Sequence, residues 1–244
     1  MKLLICLPSR NEEKILEKNV IFLYNFLKSE FKFIDWKIVI SVNGSNDNTI
    51  NIAKHLKKID NKKISFLEIK ESGKGRAIKH CFDNYLNFDI LMYMDVDLAV
   101  SLKNLKSLIE PIYFSKVDLC MGNRFHDDSK IKRSILRSYF SKMYNFFSRI
   151  ILNHKFSDLQ CGFKAININT YNRIRPYIKN NYWFFDTEWV MVCKKMNFSI
   201  KEVAVNWQDN RYEIRKSQVK IILETWRFMI AIIKLKFYLR KINK

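Results

Sequence analysis

Five short apolar runs, Leu3–Leu7, Lys37–Val42, Ile64–Ile69, Ile90–Met94 and Leu119–Met121, alternate with longer stretches of helical periodicity. Strands that alternate with helices build βαβ units, whose crossovers make the strands parallel. The pattern predicts an α/β fold around a mainly parallel sheet, with helices over Lys14–Ser29, Thr49–Lys58, Gly75–Leu86 and Leu102–Ile112. At 244 residues, with no Pro/Gly/Ser-rich linker or repeat, the chain suits one domain over residues 1–217 and an appendage over 218–244.

The second half has a different texture. Ser134–Leu152 reads as a long helix in which Arg137, Lys142 and Arg149 lie among aromatics, with Arg133 just ahead of it. A strand pair around Asp158–Ile166 and Ser199–Val205 brackets a helix at Thr187–Met196. In the last segment, Gln218 to Lys241, the residues Lys220, Glu224, Arg227, Ala231, Lys234, Tyr238 and Lys241 recur at spacings of 4, 3, 4, 3, 4 and 3. That is one narrow helical stripe, and the remainder is mostly Ile, Leu, Trp, Phe and Met apart from Lys236 and Arg240. Its longest uncharged run, Phe228–Ile233, is far short of the ~20 residues that span a bilayer. Two readings stand for it: an amphipathic helix lying in a membrane interface, or a terminal helix packed on its own domain.

Forty-four Lys and Arg against 24 Asp and Glu give a net charge of +20, which selects for a polyanionic partner, nucleic acid or an anionic membrane surface. The five cysteines, Cys6, Cys81, Cys120, Cys161 and Cys193, are odd in number, widely spaced and without a Cys-x-x-Cys, so they read as reduced thiols. The first apolar stretch is too short for a signal peptide and ends at Pro8. These features place the expected site of action in the cytosol.

The chemistry centres on Asp95-Val96-Asp97-Leu98-Ala99, directly after the Ile90–Met94 run. A strand delivers side chains with a period of two, which would put Asp95 and Asp97 on one face. Neighbouring carboxylates repel unless a cation lies between them, and a hard divalent ion carrying phosphate oxygens is the usual answer. A solvated turn is the competing reading. Ligands of open α/β sheets bind at the carboxyl ends of strands, and three further loops belong there. Pro8-Ser9-Arg10-Asn11-Glu12-Glu13 follows the first strand, and either lines a ligand or caps a helix. Val42-Asn43-Gly44-Ser45-Asn46-Asp47 is a tight turn, and Gly73-Lys74-Gly75-Arg76 combines two unhindered backbones with two cations fit for phosphates. The spacing of a P-loop is absent.

In this order the motifs resemble the family 2 glycosyltransferases of GT-A fold, and most of all the polyprenyl-phosphate (dolichyl-phosphate) hexose synthases. The resemblance continues through Gly122-Asn123-Arg124, Arg137-x-x-x-Ser141, Asp158-Leu159-Gln160-Cys161-Gly162-Phe163-Lys164, Trp183-Phe184-Phe185-Asp186-Thr187-Glu188 and Val205-Asn206-Trp207, nearly the whole chain. It implies a Rossmann-like sheet with helices on both faces and a nucleotide-sugar site formed by Pro8, Arg10, Asn11, Glu13, Asn43, Gly44, Lys74, Asp95 and Asp97. Asp95 and Asp97 would hold Mg2+ or Mn2+. Arg124, Arg137, Ser141, Gln160 and Lys164 would hold the acceptor lipid phosphate, with Asp158 shaping the sugar side. Asp186 and Glu188 would contact the sugar or serve as a catalytic base, although Asp186 equally suits a helix N-cap.

The implied reaction is an inverting, metal-dependent transfer of a hexose from a nucleotide sugar to a polyprenyl phosphate at the cytosolic membrane face. A phosphate monoester is already an anion at neutral pH, so no base is needed to activate it. Consistently, His55, His80, His126 and His154 all fall outside the motifs. Val42-Asn43 stands where the family has an Asp pair, a departure in the part that reads the base, whereas Ala99 stands where mannosyl members carry Gln and the Asp158–Lys164 and Phe185–Glu188 stretches resemble the glucosyl members, so the resemblance favours UDP-glucose over GDP-mannose as donor. Another glycan or glycolipid acceptor is the alternative within the family. A basic nucleic-acid-binding protein is the non-enzymatic one, suggested by charge and by Tyr139-Phe140-Ser141-Lys142 and Phe146-Phe147-Ser148-Arg149, and opposed by the absence of any nucleic-acid-binding signature.

Overall fold

The structure, a computed structural model, describes residues 1–132, 135–208 and 221–242, with the backbone alone at 132, 135–137 and 221–225. The first half runs β1 (Lys2–Ser9), α1 (Leu16–Glu30), β2 (Asp35–Asn43), α2 (Thr49–Ile59), β3 (Ile64–Ile69), α3 (Lys74–Asp83), β4 (Ile90–Met94), α4 (Leu105–Tyr113) and β5 (Leu119–Asn123). Then come β6 (Lys130–Lys132), α5 (Ile135–Leu152), β7 (Phe163–Asn167), α6 (Ile168–Ile174), α7 (Phe185–Lys195), β8 (Ile200–Ala204), β9 (Asn206–Gln208) and α8 (Ile221–Arg240).

Seven strands form one sheet in the order β3-β2-β1-β4-β7-β5-β8, and β6 pairs with β9 in a small second sheet. Every neighbour in the large sheet is parallel except β7, which runs antiparallel to both β4 and β5. The strands are apolar on both faces because helices cover both. Leu3, Ile5, Ile38, Ile40, Met92 and Ala165 join α1, α2 and α4 in one core layer, while Leu4, Cys6, Val39, Leu91, Tyr93 and Ile166 face α3, α6 and α7 in the other.

The expected strand pair of the second half is not a pair. β7 and β8 lie on either side of β5, and β7 begins at Phe163 rather than near Asp158. The reason is local: the Leu159 and Cys161 carbonyls turn toward the Lys164 ammonium, and Glu202 accepts the Ser157 and Asp158 N–H groups, so 158–162 is a loop. The elements α6, β6 and β9 carry no sequence signal recognised above. The expected domain boundary at 217/218 and the helix start at Gln218 lie outside the described residues. Within α8, Ile232, Leu235 and Leu239 are buried in the same layer as α7, as is Ile242 just beyond it. Among the described residues no helix is long and apolar enough to cross a membrane.

Candidate active site

At the carboxyl edge of the parallel strands three loops are stitched together. Asn11, in the left-handed region at φ 53°, donates its N–H to Ser45 Oγ (3.1 Å) and accepts the Asn46 N–H (3.0 Å). The Glu13 N–H reaches Asp47 Oδ2 (3.2 Å), and Glu13 Oε2 accepts the Asn48 N–H (3.1 Å). Arg10 Nε donates to the Gly44 carbonyl (3.3 Å). Asn43 ties all three, donating to the Ser9 carbonyl (3.0 Å) and accepting the Gly73 N–H (2.9 Å). The capping reading of Asn11–Glu13 does not hold, since no side chain caps α1. Pro8, partly exposed, stands one residue before the end of β1.

The Asp-x-Asp lies beyond the strand, not on it. β4 ends at Met94, and the Leu98 N–H donates to the Asp95 carbonyl (3.1 Å), closing a turn in which Leu98 takes φ 49°. Period-two alternation therefore does not place Asp95 and Asp97. Instead the turn sinks Val96 into the core and leaves an acid on each side of it partly exposed. Val96 is held there by Asn19, whose amide donates to its carbonyl (2.9 Å), and Asp97 Oδ1 accepts the Ala99 N–H (3.2 Å). A Cβ on Gly162 would lie 2.4 Å from Asp95 Oδ2, so that glycine makes room for the carboxylate.

Behind this turn sits a buried ion network. Tyr93 on β4 and Lys164 on β7 are antiparallel partners, so both side chains reach the same face. There Asp186, in the first turn of α7, accepts from the Tyr93 hydroxyl, from Lys164 Nζ (2.7 Å) and from Lys74 Nζ (3.2 Å). Lys74 also stands 3.0 Å from Asp95 Oδ1 and near the rings of Tyr93 and Trp183. Burial works to raise the Asp186 carboxyl, but Lys164 and Lys74 outweigh it and hold the pKa below the ordinary range. Burial likewise works against the Lys74 charge, and Asp186 and Asp95 outweigh it, so its pKa is raised.

Several expectations change here. Asp186 is not an N-cap, because Phe184 holds that position and the carboxylate points into the network. Lys164 does not face an acceptor: it is fully buried, with Leu159 O (3.0 Å), Cys161 O (2.5 Å) and Asp186 as partners, one for each ammonium proton. The glycines around Lys74 answer to packing as well as to any phosphate. A Cβ on Gly73 would lie 2.4 Å from the Asn181 carbonyl, and one on Gly75 2.6 Å from Phe185 Cβ.

On the other side, Arg124 at the end of β5 grips Asp158 with Nε (2.7 Å) and Nη2 (2.9 Å), and its own N–H adds a third bond (3.0 Å). Burial would raise the Asp158 carboxyl, yet the guanidinium holds it low. The two residues expected on different substrates thus hold each other, while Asp95 is close enough to help stabilise the Arg124 charge. Gln160 donates to Thr187 Oγ1 (2.7 Å), which also bonds the Tyr144 hydroxyl (2.5 Å). Glu188 Oε2 accepts the backbone N–H groups of Lys179 and Asn180 (2.9 and 2.7 Å), and burial raises its pKa. Ser141 lies on α5, part-exposed, and Arg137 lies one turn before it with its side chain outside the described residues. Sequence reasoning passed over Tyr93, whose signal was one hydroxyl in the otherwise apolar run before Asp95. It also passed over Tyr144 and Glu202, for which no local signal exists.

Among the described residues no group of three His, Cys, Asp or Glu forms a ready-made metal cage. Asp95, 42% exposed, and Asp97 nonetheless fit a hard divalent ion, which commonly takes one or two carboxylates and completes its shell with substrate phosphates and water. The space that Gly162 leaves for Asp95 is consistent with that use.

Glycosyltransferase AglD of Haloferax volcanii is 28% identical over 228 residues, covering 91% of this chain and 36% of that protein. The dolichyl-phosphate beta-glucosyltransferase of Dictyostelium discoideum is 28% identical over 251 residues, covering 95% of this chain and 76% of the relative. That of Saccharomyces cerevisiae is 25% identical over 259 residues, covering 96% and 75%. The chain therefore spans little more than a third of the Haloferax protein and about three quarters of the other two. Among solved structures, glucosyl-3-phosphoglycerate synthase from Mycobacterium tuberculosis in complex with Mn2+, UDP and phosphoglyceric acid matches with a TM-score of 0.68 at 13% identity, over 100% of this chain and 80% of that one. That likeness bears out the GT-A form of the α/β fold. The sequence profile described as Glycosyl transferase family 2 matches residues 4–175, most of the chain, and the protein belongs to that family.

Proposed function

We propose that the protein transfers a hexose from a nucleotide sugar, UDP-glucose by preference with GDP-mannose as the alternative, to a polyprenyl (dolichyl) phosphate, with inversion, at the cytosolic face of a membrane. The observation that carries the reading is the Asp95–Asp97 turn, partly exposed at the sheet's carboxyl edge, with Lys74 3.0 Å from Asp95 on one side and the Arg124–Asp158 pair on the other. Carboxylates open to solvent between fixed cations suit a metal-bound diphosphate next to a second anion. The names of the Dictyostelium and yeast relatives support the glucosyl donor and the lipid phosphate.

In this reading Pro8, Arg10, Asn11, Glu13, Asn43 and Gly44 frame the nucleoside, their loops already locked by mutual hydrogen bonds. Mg2+ or Mn2+ at Asp95 and Asp97 would supply positive charge for the departing nucleoside diphosphate. Lys74 adds a fixed cation beside Asp95. Arg124, oriented by Asp158, would hold the acceptor phosphate together with Arg137 and Ser141, which lie four residues apart along α5. Asp158 and Asp186 are held ionised by buried cations, and Glu188 is fastened to backbone N–H groups. An acceptor that arrives as an anion makes little demand on such residues for proton transfer. Catalysis is then chiefly positioning and charge stabilisation.

The test is transfer of radiolabelled sugar from UDP-glucose and from GDP-mannose into organic-extractable polyprenyl phosphate, with Mg2+ or Mn2+. Label in the lipid phase that requires both the metal and the phosphate is the expected result. Label found only on soluble or protein acceptors would overturn the lipid assignment in favour of a family 2 enzyme that extends another glycan.

A further inference from the structure

Strand β8 lies at the edge of the large sheet, and the charges at Lys201 and Glu202 read as the usual guard of an edge strand. Lys201 is exposed as that use requires, but Glu202 is only partly so. Its carboxylate reaches the loop between α5 and β7 and accepts two backbone donors there. Oε1 takes the N–H groups of Ser157 (2.9 Å) and Asp158 (3.2 Å), and Oε2 shares the first of them at 3.2 Å. Burial raises the Glu202 pKa and the nearby Asp158 charge adds to the rise, so an acid is kept here against its surroundings.

The loop that Glu202 fastens has no helix or strand of its own. Asp158 hangs from it, fully buried, and sets Arg124 in turn: Oδ2 accepts the Arg124 N–H (3.0 Å) and Nε (2.7 Å), and Oδ1 accepts Nη2 (2.9 Å). Such a clamp fixes the plane of the guanidinium, and Nη1 takes no part in it. Strand β9 follows β8 and brings the Trp207 ring centre within 5.9 Å of the guanidinium carbon. That strand is also tied to the segment after the Asp-x-Asp turn, since the Gln208 N–H donates to the Ala99 carbonyl (2.8 Å) and the Ser101 N–H to the Asn206 carbonyl (2.9 Å). The stretch from β8 to β9 therefore holds the arginine through Glu202 and the acids through β9, by separate bonds.

We infer that Glu202 is a positioning residue: by holding Ser157 and Asp158 it presets the direction in which Arg124 offers its guanidinium to the acceptor anion. The inference rests on the acceptor reading of Arg124 proposed above, and adds to it a residue that touches no substrate. An arginine side chain is long and rotatable, so freezing it before the anion arrives lowers the cost of binding. The attacking oxygen must also be aimed, and a small misplacement of the group that holds it is expensive in rate. Asp158 can freeze the arginine only while its own backbone is fixed, and Glu202 accepts the N–H groups on either side of that turn. A glutamine of the same length fits less well, because its amide would set N–H2 where Oε2 now meets the Ser157 N–H.

The experiment compares Glu202→Ala and Glu202→Gln in the full chain, each alone and combined with Asp158→Asn. Asp118→Ala is the control: at the opposite end of β5 from Arg124, Asp118 holds the residue before β8, accepting the Ser199 N–H (2.8 Å) and hydroxyl (2.6 Å). Kinetics use geranyl phosphate as acceptor, Mn2+, and whichever of UDP-glucose and GDP-mannose the wild type turns over. Glu202→Ala should raise the KM for geranyl phosphate about tenfold and leave that for the sugar nucleotide within about twofold, with Glu202→Gln in between. On top of Asp158→Asn either change should add less than about twofold, because an effect that passes through Asp158 is lost with it. Asp118→Ala should lower the melting temperature and leave both constants unchanged. Equal rises in the two KM values, full additivity with Asp158→Asn, or a rise in acceptor KM for Asp118→Ala as large as that for Glu202→Ala overturns the inference, since each is what a merely structural glutamate gives. Labelling of Arg124 with phenylglyoxal, read by peptide mass spectrometry, needs no substrate. It should run about threefold faster in the Glu202 variants, as a loosened clamp opens more often, and unchanged labelling in a folded variant overturns the inference. Should Glu202→Ala fail to fold, Glu202→Gln carries both measurements. A wild type that transfers sugar to no prenyl phosphate sinks the acceptor reading alone, and the labelling then decides whether Glu202 sets Arg124.

Discussion

The ammonium of Lys74 lies 3.0 Å from Asp95 Oδ1 and 3.2 Å from Asp186 Oδ2, so a single lysine is shared between an acid at the mouth of the site and an acid buried behind it. It balances the Asp95 charge and, in the proposed reaction, would compete with a metal that arrives without its nucleotide. Lys74→Met should therefore tighten Mn2+ binding to the nucleotide-free protein, read by electron paramagnetic resonance, and raise the KM for the sugar nucleotide. A contact of about 1.4 kcal/mol corresponds to tenfold in each. Unchanged Mn2+ affinity would show that the Lys74–Asp95 pair does not guard the metal site.

Gly162→Ala should cost activity more than stability. The new methyl would lie 2.4 Å from Asp95 Oδ2, and the partly exposed carboxylate can swing away where the backbone cannot. We expect kcat/KM to fall at least tenfold, about 1.4 kcal/mol in transition-state binding, with a melting temperature within a few degrees of wild type. An alanine variant with native kinetics would mean that the Asp95 position seen here is not the working one.

Asp97→Ala should abolish turnover with the fold intact, since the carboxylate is partly exposed and the hydrogen bond it accepts from the Ala99 N–H is worth about 1 kcal/mol. Retention of more than a tenth of the wild-type rate would place the metal elsewhere.

Asp186→Asn should behave as a structural lesion. It strips charge from between Lys164, which is fully buried, and Lys74, and breaking a buried pair costs roughly 3–5 kcal/mol. Urea denaturation checks this, and a double variant with Lys164→Met should lose less than the sum of the two single changes. A fully stable Asp186→Asn protein without activity would instead make this acid a chemical participant.

His154 gives the fold a pH dependence. Burial, reinforced by Lys194 and Arg149, pushes its pKa down to about 4. Between that value and the usual ~6.5 the unfolded chain binds a proton that the folded chain refuses, so stability is full above ~6.5 and falls as the pH drops. The loss should be about 2 kcal/mol by pH 4, and His154→Gln should flatten that part of the curve in denaturation measured from pH 7 to 4.

Much of the fold was legible because its signals are local. The run Ile90–Met94 is a strand with those same limits, as is Ile64–Ile69, since an apolar segment of strand length between turn residues has few other uses in a doubly covered sheet. The Pro8–Glu13, Asn43–Asp47 and Gly73–Arg76 loops stand together because each ends a parallel strand, and order along the chain then dictates order in space. The stripe of the last helix was also legible, but which side it buries was not. Ile232 and Ile230 are equally apolar, and contact with α5 and α7 alone makes one core and the other surface.

What tertiary structure decided is which charges meet. Lys164 reads in the sequence as one more cation near an acceptor motif, yet antiparallel pairing of β7 with β4 sets it beside Tyr93 and closes it over Asp186, far along the chain. Arg124 and Asp158 look like two independent binding residues until the end of β5 brings them to 2.7 Å. The sequence by itself determined the alternation of strands and helices, the family and the acids at the end of β4, because composition and period act over a few residues. The pairing of those charges depends on register between distant strands, and at such range the cost of burying an ion without its partner, rather than any local preference, selects the arrangement.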